Sequence, residues 1–144
     1  LIKELLPIAT LVTPNLPEAA VIVGYDVTNK EDMRKAARDI IALGAKSVLM
    51  KGGHLQESAD DLLYDGNEEI WFTGERINTK NTHGTGCTLS SALAANLALG
   101  SSLSDAVRIS KDYISIAIAN ALDIGSGCGP THHFVNLYRK AGLL

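Results

Sequence analysis

The stretch Asn81-Thr-His-Gly-Thr-Gly-Cys-Thr-Leu-Ser90 sets two glycines and a cysteine directly ahead of an alanine-rich run. Glycine lets a chain turn tightly and bring backbone N–H groups toward a ligand, and the helix that follows adds the partial positive charge of its N-terminus. The natural guest is an anion, most often phosphate. The spacing is neither G-x-x-x-x-G-K-S/T nor G-x-G-x-x-G, so neither of those nucleotide fingerprints applies. Cys87 falls in the first turn of the predicted helix, where the dipole and free N–H groups favour a thiolate that can serve as a base or nucleophile. Taken alone, the stretch reads equally as a plain turn with Cys87 as a small buried hydrophobe.

On either side of this turn, short apolar runs alternate with longer helical patterns, which favours an α/β class. Residues 8–13 are short, β-branched and stopped by Pro14, as suits a buried strand, and a brief helix with Pro17 in its first turn starts over 15–18. Thr28 and Glu31 have capping-box spacing; Met33, Ala36, Ala37, Ile40, Ile41 and Leu43 recur at helical spacing before Gly44. The compact run 46–50 predicts a central strand, and strand, helix and strand together predict a right-handed crossover. A hairpin is expected over 61–64 and 69–72 around Asp65-Gly66, with a further antiparallel strand over 76–79 finishing the edge. Three helices follow, over 86–99, 103–122 with Ser102 as its start, and 131–141 closed by Gly142.

Composition bounds the function. The 144 residues, 46% apolar, suit a single domain over 1–144. Thirteen basic residues lie scattered among sixteen acidic ones, so no footprint for nucleic acid is visible. The apolar runs fall short of the roughly 18 residues of a membrane span, so the chain is expected to be soluble with no membrane partner. Cys87 and Cys128 make no disulfide framework and no C-x-x-C pair, which suits a reducing, cytoplasmic setting; Cys128 is read as structural. No secretory segment is recognised. His54, His83, His132 and His133 fit no zinc spacing.

Thr13-Pro-Asn-x-x-Glu18, Lys51-Gly-Gly-His54, the turn at 81–90 and Gly127-Cys-Gly-Pro-Thr-His-His-Phe134 form a set that resembles the ribokinase superfamily, and within it the hydroxymethylpyrimidine/phosphomethylpyrimidine kinases of thiamine biosynthesis. The resemblance covers essentially the whole chain. It implies ATP-dependent phosphoryl transfer to the hydroxymethyl group of 4-amino-5-hydroxymethyl-2-methylpyrimidine and then to its monophosphate. Cys87 stands where most relatives carry an aspartate base, and Gly84, Thr85, Gly86 and Cys87 correspond to the anion hole. Asn15 and Glu18 match a motif that organises Mg²⁺ through its waters; without the resemblance they read as a helix N-cap and a first-turn acid. Lys51 and Thr82 are expected at the ATP phosphates, and the loop at 125–130, with Gly127 and Gly129, against the adenine or ribose. His132 and His133 are expected to open the last helix.

The resemblance also implies a ribokinase-like fold with a mostly parallel central sheet and an antiparallel hairpin edge, of which this chain is the C-terminal, nucleotide-binding half. Most of the pyrimidine pocket then belongs to an absent N-terminal half. A sheet without its first strands exposes apolar edges, so the chain is expected to pair with that half or to form a homo-oligomer, and to have little or no activity alone. Two alternatives remain open: a pyridoxine/pyridoxal kinase, and a non-catalytic nucleotide-binding fragment.

Overall fold

Two prolines shape the entry to the first unit. In the computed structural model, which describes residues 1–53, 55 and 59–143, Pro7 starts a 3-10 turn over Leu6–Ile8. Pro14 has no N–H to give a ladder. The strand expected over 8–13 is therefore not formed. Extended backbone at Val12 and Asn15 instead joins β1 (Val48–Met50) through two isolated parallel bridges, Val12↔Val48 and Asn15↔Lys51.

The chain divides into two compact units, the first from Leu1 to Arg76 and the second from Ile77 onward. In the first, α1 (Leu16–Val23) begins at the N-cap Asn15 and closes on Gly24, whose φ of 81° suits glycine. Helix α2 (Lys30–Ala42) starts one residue later than the Thr28 spacing suggested. Asn29 is its N-cap and accepts from the Glu31 and Asp32 N–H groups, while the Asp32 carboxylate reaches back to the Thr28 N–H at 3.0 Å and hydroxyl at 2.9 Å. Asparagine outranks threonine as a cap, and Asp32 is in reach where Glu31 is not.

Met33, Ala36, Ala37 and Ile40 of α2 are buried and join Val48 and Met50 of β1 in one core, as their spacing predicted; Ile41 packs partly against it and Leu43 is exposed. Strands β2 (Asp61–Tyr64) and β3 (Glu69–Phe72) form the expected hairpin, and β1 pairs antiparallel with β2. The turn at 65–68 holds because the Asp65 carboxylate accepts the Asn67 and Glu68 N–H groups and Gly66 takes a φ of 90°. The sheet of the described residues is thus three-stranded and antiparallel, and their parallel pairing is confined to isolated bridges, the two named in this unit and His83↔Pro130 in the second. No strand forms over 76–79: the Gly74 N–H goes to the Asp60 carboxylate and the Arg76 guanidinium to the Gly53 and Leu55 carbonyls, so side chains hold this stretch instead of a ladder. On β3, Trp71 lies under Lys30 and Arg34, at 5.1 and 5.3 Å from its ring centroid.

The second unit is helical. Helix α3 (Thr85–Ala98) packs on α4 (Leu103–Ala119), burying Leu89 and Leu93 on one side and Ala106, Val107, Ile114 and Ala117 on the other. Ser102 caps α4 as expected, accepting the Asp105 N–H. Helix α4 ends before 122 because the Leu122 N–H turns to the Pro130 carbonyl. The last helix, α5 (Val135–Lys140), begins later than 131, since the His132 N–H donates to the Ala117 carbonyl and the Phe134 N–H to His132 Nδ1. His132 and His133 thus precede this helix and do not open it. Its end carries the expected glycine: Gly142 has a φ of 68° and the Leu143 N–H bonds the Tyr138 carbonyl. No helix of the described residues is long and apolar enough to cross a membrane.

The caps give a pH dependence whose sign can be worked out. Bonds from the Thr28 N–H and hydroxyl hold the Asp32 carboxyl below the usual carboxylate range. A lowered folded value means stabilisation that is complete above the unfolded value of about 3.9 and is lost as the pH falls through the folded one. Asp32→Ala is therefore expected to melt below the parent chain at pH 7, with the gap closing at pH values below about 4. Thermal melts across that range check it; a gap undiminished in acid assigns the loss to something other than the charge.

Candidate active site

Lys51, distant in sequence, meets Asn15 and Glu18 in the first unit. The Asn15 side chain accepts the Glu18 N–H at 2.8 Å, and the Glu18 carboxylate accepts the Asn15 N–H at 2.8 Å, a complete capping box. The parallel bridge Asn15↔Lys51 and the bond from the Lys51 N–H to the Pro14 carbonyl, 2.9 Å, set the lysine beside this box. The Lys51 ammonium lies 3.8 Å from Glu18 Oε2, and the glutamate side chain is 57% exposed. The N-cap reading of Asn15 and Glu18 is therefore realised in full. It leaves a hard-oxygen carboxylate and amide at a helix N-terminus, a donor set that fits a cation keeping most of its waters and does not make a cage. Among the described residues no three of His, Cys, Asp and Glu gather as a metal cluster.

The residue after Lys51 is fixed as firmly. The Gly52 N–H donates to the buried Asp61 carboxylate at 2.8 Å, and a Cβ on Gly52 would overlap the Asp60 carbonyl oxygen. Only glycine fits. His54, the last residue of that motif, lies outside the described residues.

In the second unit, Gly84 is the N-cap of α3 with a φ of 80°, and no side chain caps the helix. Thr85, Gly86 and Cys87 form its first turn, so their N–H groups belong to the end that carries the positive partial charge. The Thr85 N–H and hydroxyl both bond the Thr82 carbonyl, at 3.3 and 2.7 Å, which ties the turn closed and leaves Thr82 on the surface. Cys87 is a free, exposed cysteine, contrary to the reading of it as a buried hydrophobe. It opens on a cleft of about 460 Å³ shared with Thr88, Ser91, Ala92, Tyr113 and His133. Tyr113 donates to the His133 carbonyl at 3.1 Å and so closes one wall. Cys128 is exposed as well, which removes it from any core.

Asn81 ties the two expected nucleotide loops together. Its buried side chain accepts the Gly129 N–H at 3.0 Å, and the His83 N–H donates to the Gly129 carbonyl at 3.1 Å. A Cβ on Gly129 would stand 2.6 Å from Asn81 Oδ1 and 2.8 Å from the Leu122 carbonyl, so this glycine is needed for space. Gly127 is exposed, with open space around it.

Comparison with known proteins places this geometry. A family profile described as phosphomethylpyrimidine kinase matches residues 1–132. The chain belongs to the phosphomethylpyrimidine kinase family. It is 48% identical to a hydroxymethylpyrimidine/phosphomethylpyrimidine kinase of Streptomyces coelicolor over 90% of this chain and 48% of the relative. A kinase of the same name from Rhizobium meliloti is 50% identical over 93% of this chain and 52% of the relative. Among solved structures, the ADP complex of Bacillus subtilis pyridoxal kinase superposes with a TM-score of 0.89 at 40% identity, over 94% of this chain and 54% of that one. This shows an α/β kinase fold similar to pyridoxal kinase. The chain spans about half the length of the curated relatives it matches.

The sequence reading gave no individual role to Asn81, Asp61 or Tyr113, which the structure shows holding the glycine loops, the Gly52 amide and one wall of the cleft. Asn81 carried a signal, a polar residue at the head of the glycine turn; Tyr113 carried none, being one aromatic in an amphipathic helix. Gly129→Ala is expected to cost about 1–3 kcal/mol by overpacking, and Asn81→Ala about 1–3 kcal/mol by leaving the buried Gly129 N–H unpaired. Gly127→Ala is expected to be near neutral. Urea unfolding of the three variants measures this, and equal midpoints for Gly127→Ala and Gly129→Ala contradict the packing account.

Proposed function

We propose that the chain is the C-terminal, nucleotide-binding half of an ATP-dependent hydroxymethylpyrimidine/phosphomethylpyrimidine kinase, and that both units belong to one domain of that enzyme. The reading places the two parallel bridges at one side of β1 as the start of a mostly parallel sheet completed by the other half. It rests above all on Cys87, exposed in the first turn of a helix that no side chain caps, in a member of this family. Phosphoryl transfer asks little covalent chemistry of a protein; positioning and charge stabilisation carry it.

In this reading Gly84, Thr85, Gly86 and Cys87 form the anion hole for negative charge on the transferring group, the Thr85 N–H leaving the Thr82 carbonyl to take part. Cys87 Sγ accepts the proton of the acceptor hydroxyl as its oxygen bonds the γ-phosphorus and the bond to the ADP oxygen breaks. Lys51 holds the donor phosphates, and Thr82, Gly127 and Gly129 line the nucleotide. Mg²⁺, held through water by Asn15 and Glu18, supplies charge neutralisation when bound. The pairing partner is the half that the relatives have in addition, or a second copy, and exposed apolar side chains such as Val21 and Leu99 favour such a partner. A second reading, pyridoxal as acceptor, draws on the resemblance to the Bacillus subtilis pyridoxal kinase.

Three measurements test this. In a full-length kinase carrying this chain, Cys87→Ala is expected to lower kcat by about 10²–10⁴-fold, the usual worth of a general base, with ATP affinity retained; unchanged turnover sinks the assigned role. A panel of hydroxymethylpyrimidine, its monophosphate and pyridoxal separates the acceptors. Melting the chain with ATP and Mg²⁺ is expected to raise its midpoint, since a specific ligand of the folded state stabilises it.

A further inference from the structure

Asp61 is a buried carboxylate at the start of an otherwise apolar strand: Leu62 and Leu63 beside it are 0% and 3% exposed, and Asp61 itself is 6% exposed. Burying a carboxylate is costly unless it accepts strong hydrogen bonds, so its presence on β2 asks for a reason beyond sheet formation. Its Oδ1 accepts the Gly52 N–H at 2.8 Å, a charge-assisted bond and the stronger kind. Gly52 follows Lys51, whose own N–H is spent on the Pro14 carbonyl at 2.9 Å. Two successive amides are thus pulled toward opposite neighbours, the segment before α1 on one side and β2 on the other. The Asp60 carbonyl closes the remaining space over the Gly52 Cα, and the Asp60 carboxylate is itself anchored by Lys30 at 2.6 Å and the Gly74 N–H at 3.1 Å. The backbone of Lys51 and Gly52 is thus restrained by three neighbours, Pro14, Asp61 and the Asp60 carbonyl.

We infer that Asp61 is a positioning residue for Lys51: by fixing the Gly52 amide it fixes the backbone from which the lysine ammonium reaches the donor phosphates. The inference rests on the reading of Lys51 given above. A lysine carries its charge on a flexible four-carbon stem, so its aim is only as good as the anchoring of its backbone. A misplacement of about 1 Å in a positioning group is enough to cost on the order of a hundredfold in such chemistry. The restraint acts on phosphate contacts and not on the base or the acceptor, which gives it a signature that a merely structural role lacks.

The experiment uses a full-length kinase carrying this chain and measures affinity for ATP and for adenosine, with the KM of ATP and of the acceptor. Asp61→Leu, of similar volume and without an acceptor, is expected to weaken ATP by about tenfold and raise its KM, with adenosine affinity and acceptor KM unchanged. Asp61→Asn keeps a neutral acceptor and is expected to fall between the two, about threefold weaker for ATP. In a Lys51→Ala background neither substitution is expected to weaken ATP further. A Lys51→Ala protein that binds ATP normally overturns the Lys51 reading, and this inference with it. A normal loss in Lys51→Ala, joined to an Asp61→Leu protein that loses ATP and adenosine alike or adds fully to Lys51→Ala, overturns the Asp61 role alone. If Asp61→Leu does not fold, Asp61→Asn decides by the same comparison: an equal fall with and without Lys51 overturns the role.

Discussion

The first unit depends on a short backbone ladder between residues 12–15 and β1. The Val12 N–H meets the Ser47 carbonyl at 3.0 Å, the Leu49 N–H meets Val12 at 2.8 Å, and the Lys51 N–H meets Pro14 at 2.9 Å. These three bonds place a helix N-terminus beside a lysine. Remove them and the capping box and Lys51 have no reason to be neighbours. The buried stripe of α2 and the antiparallel hairpin then serve as ballast, holding β1 so that the ladder has something to form against.

The second unit solves a related problem with helices. A glycine at the N-cap leaves the first turn of α3 without a side-chain cap, a conformation that invites an external anion. The turn that achieves this is not left loose: the Asn81 amide and the Gly129 backbone lock the strand-like segment before it to the loop near 130. Openness toward a ligand and rigidity of the frame come from different residues.

Much of this was legible in the sequence where one local rule dominated. The hairpin at 61–72 fell where its turn residues placed it, the stripe of α2 followed from helical spacing, and Ser102 and Gly142 marked their helix ends. The site motifs were legible because glycine turns and N-cap residues are dictated by backbone geometry. What could not be read was decided by distant partners. Residues 131–134 look helical, yet the His132 N–H is claimed by Ala117. The stretch 76–79 looks like a strand, yet Arg76 is drawn to the carbonyls of Gly53 and Leu55. Asp61 looks like a strand-end carboxylate, and its tie to Gly52 appears only once β1 and β2 are paired.

Trp71 has a consequence of another kind. It is the sole tryptophan of the chain, its indole Nε1 is buried without a hydrogen-bond partner among the described residues, and two cations stand over its ring. Charges held against an indole shift its emission, and both of these cations come from α2. Tryptophan emission, excited selectively over the tyrosines, therefore watches the contact between α2 and the hairpin. The molecule carries a built-in optical label on one of its two units, by which loss of order in that unit can be followed separately from the other.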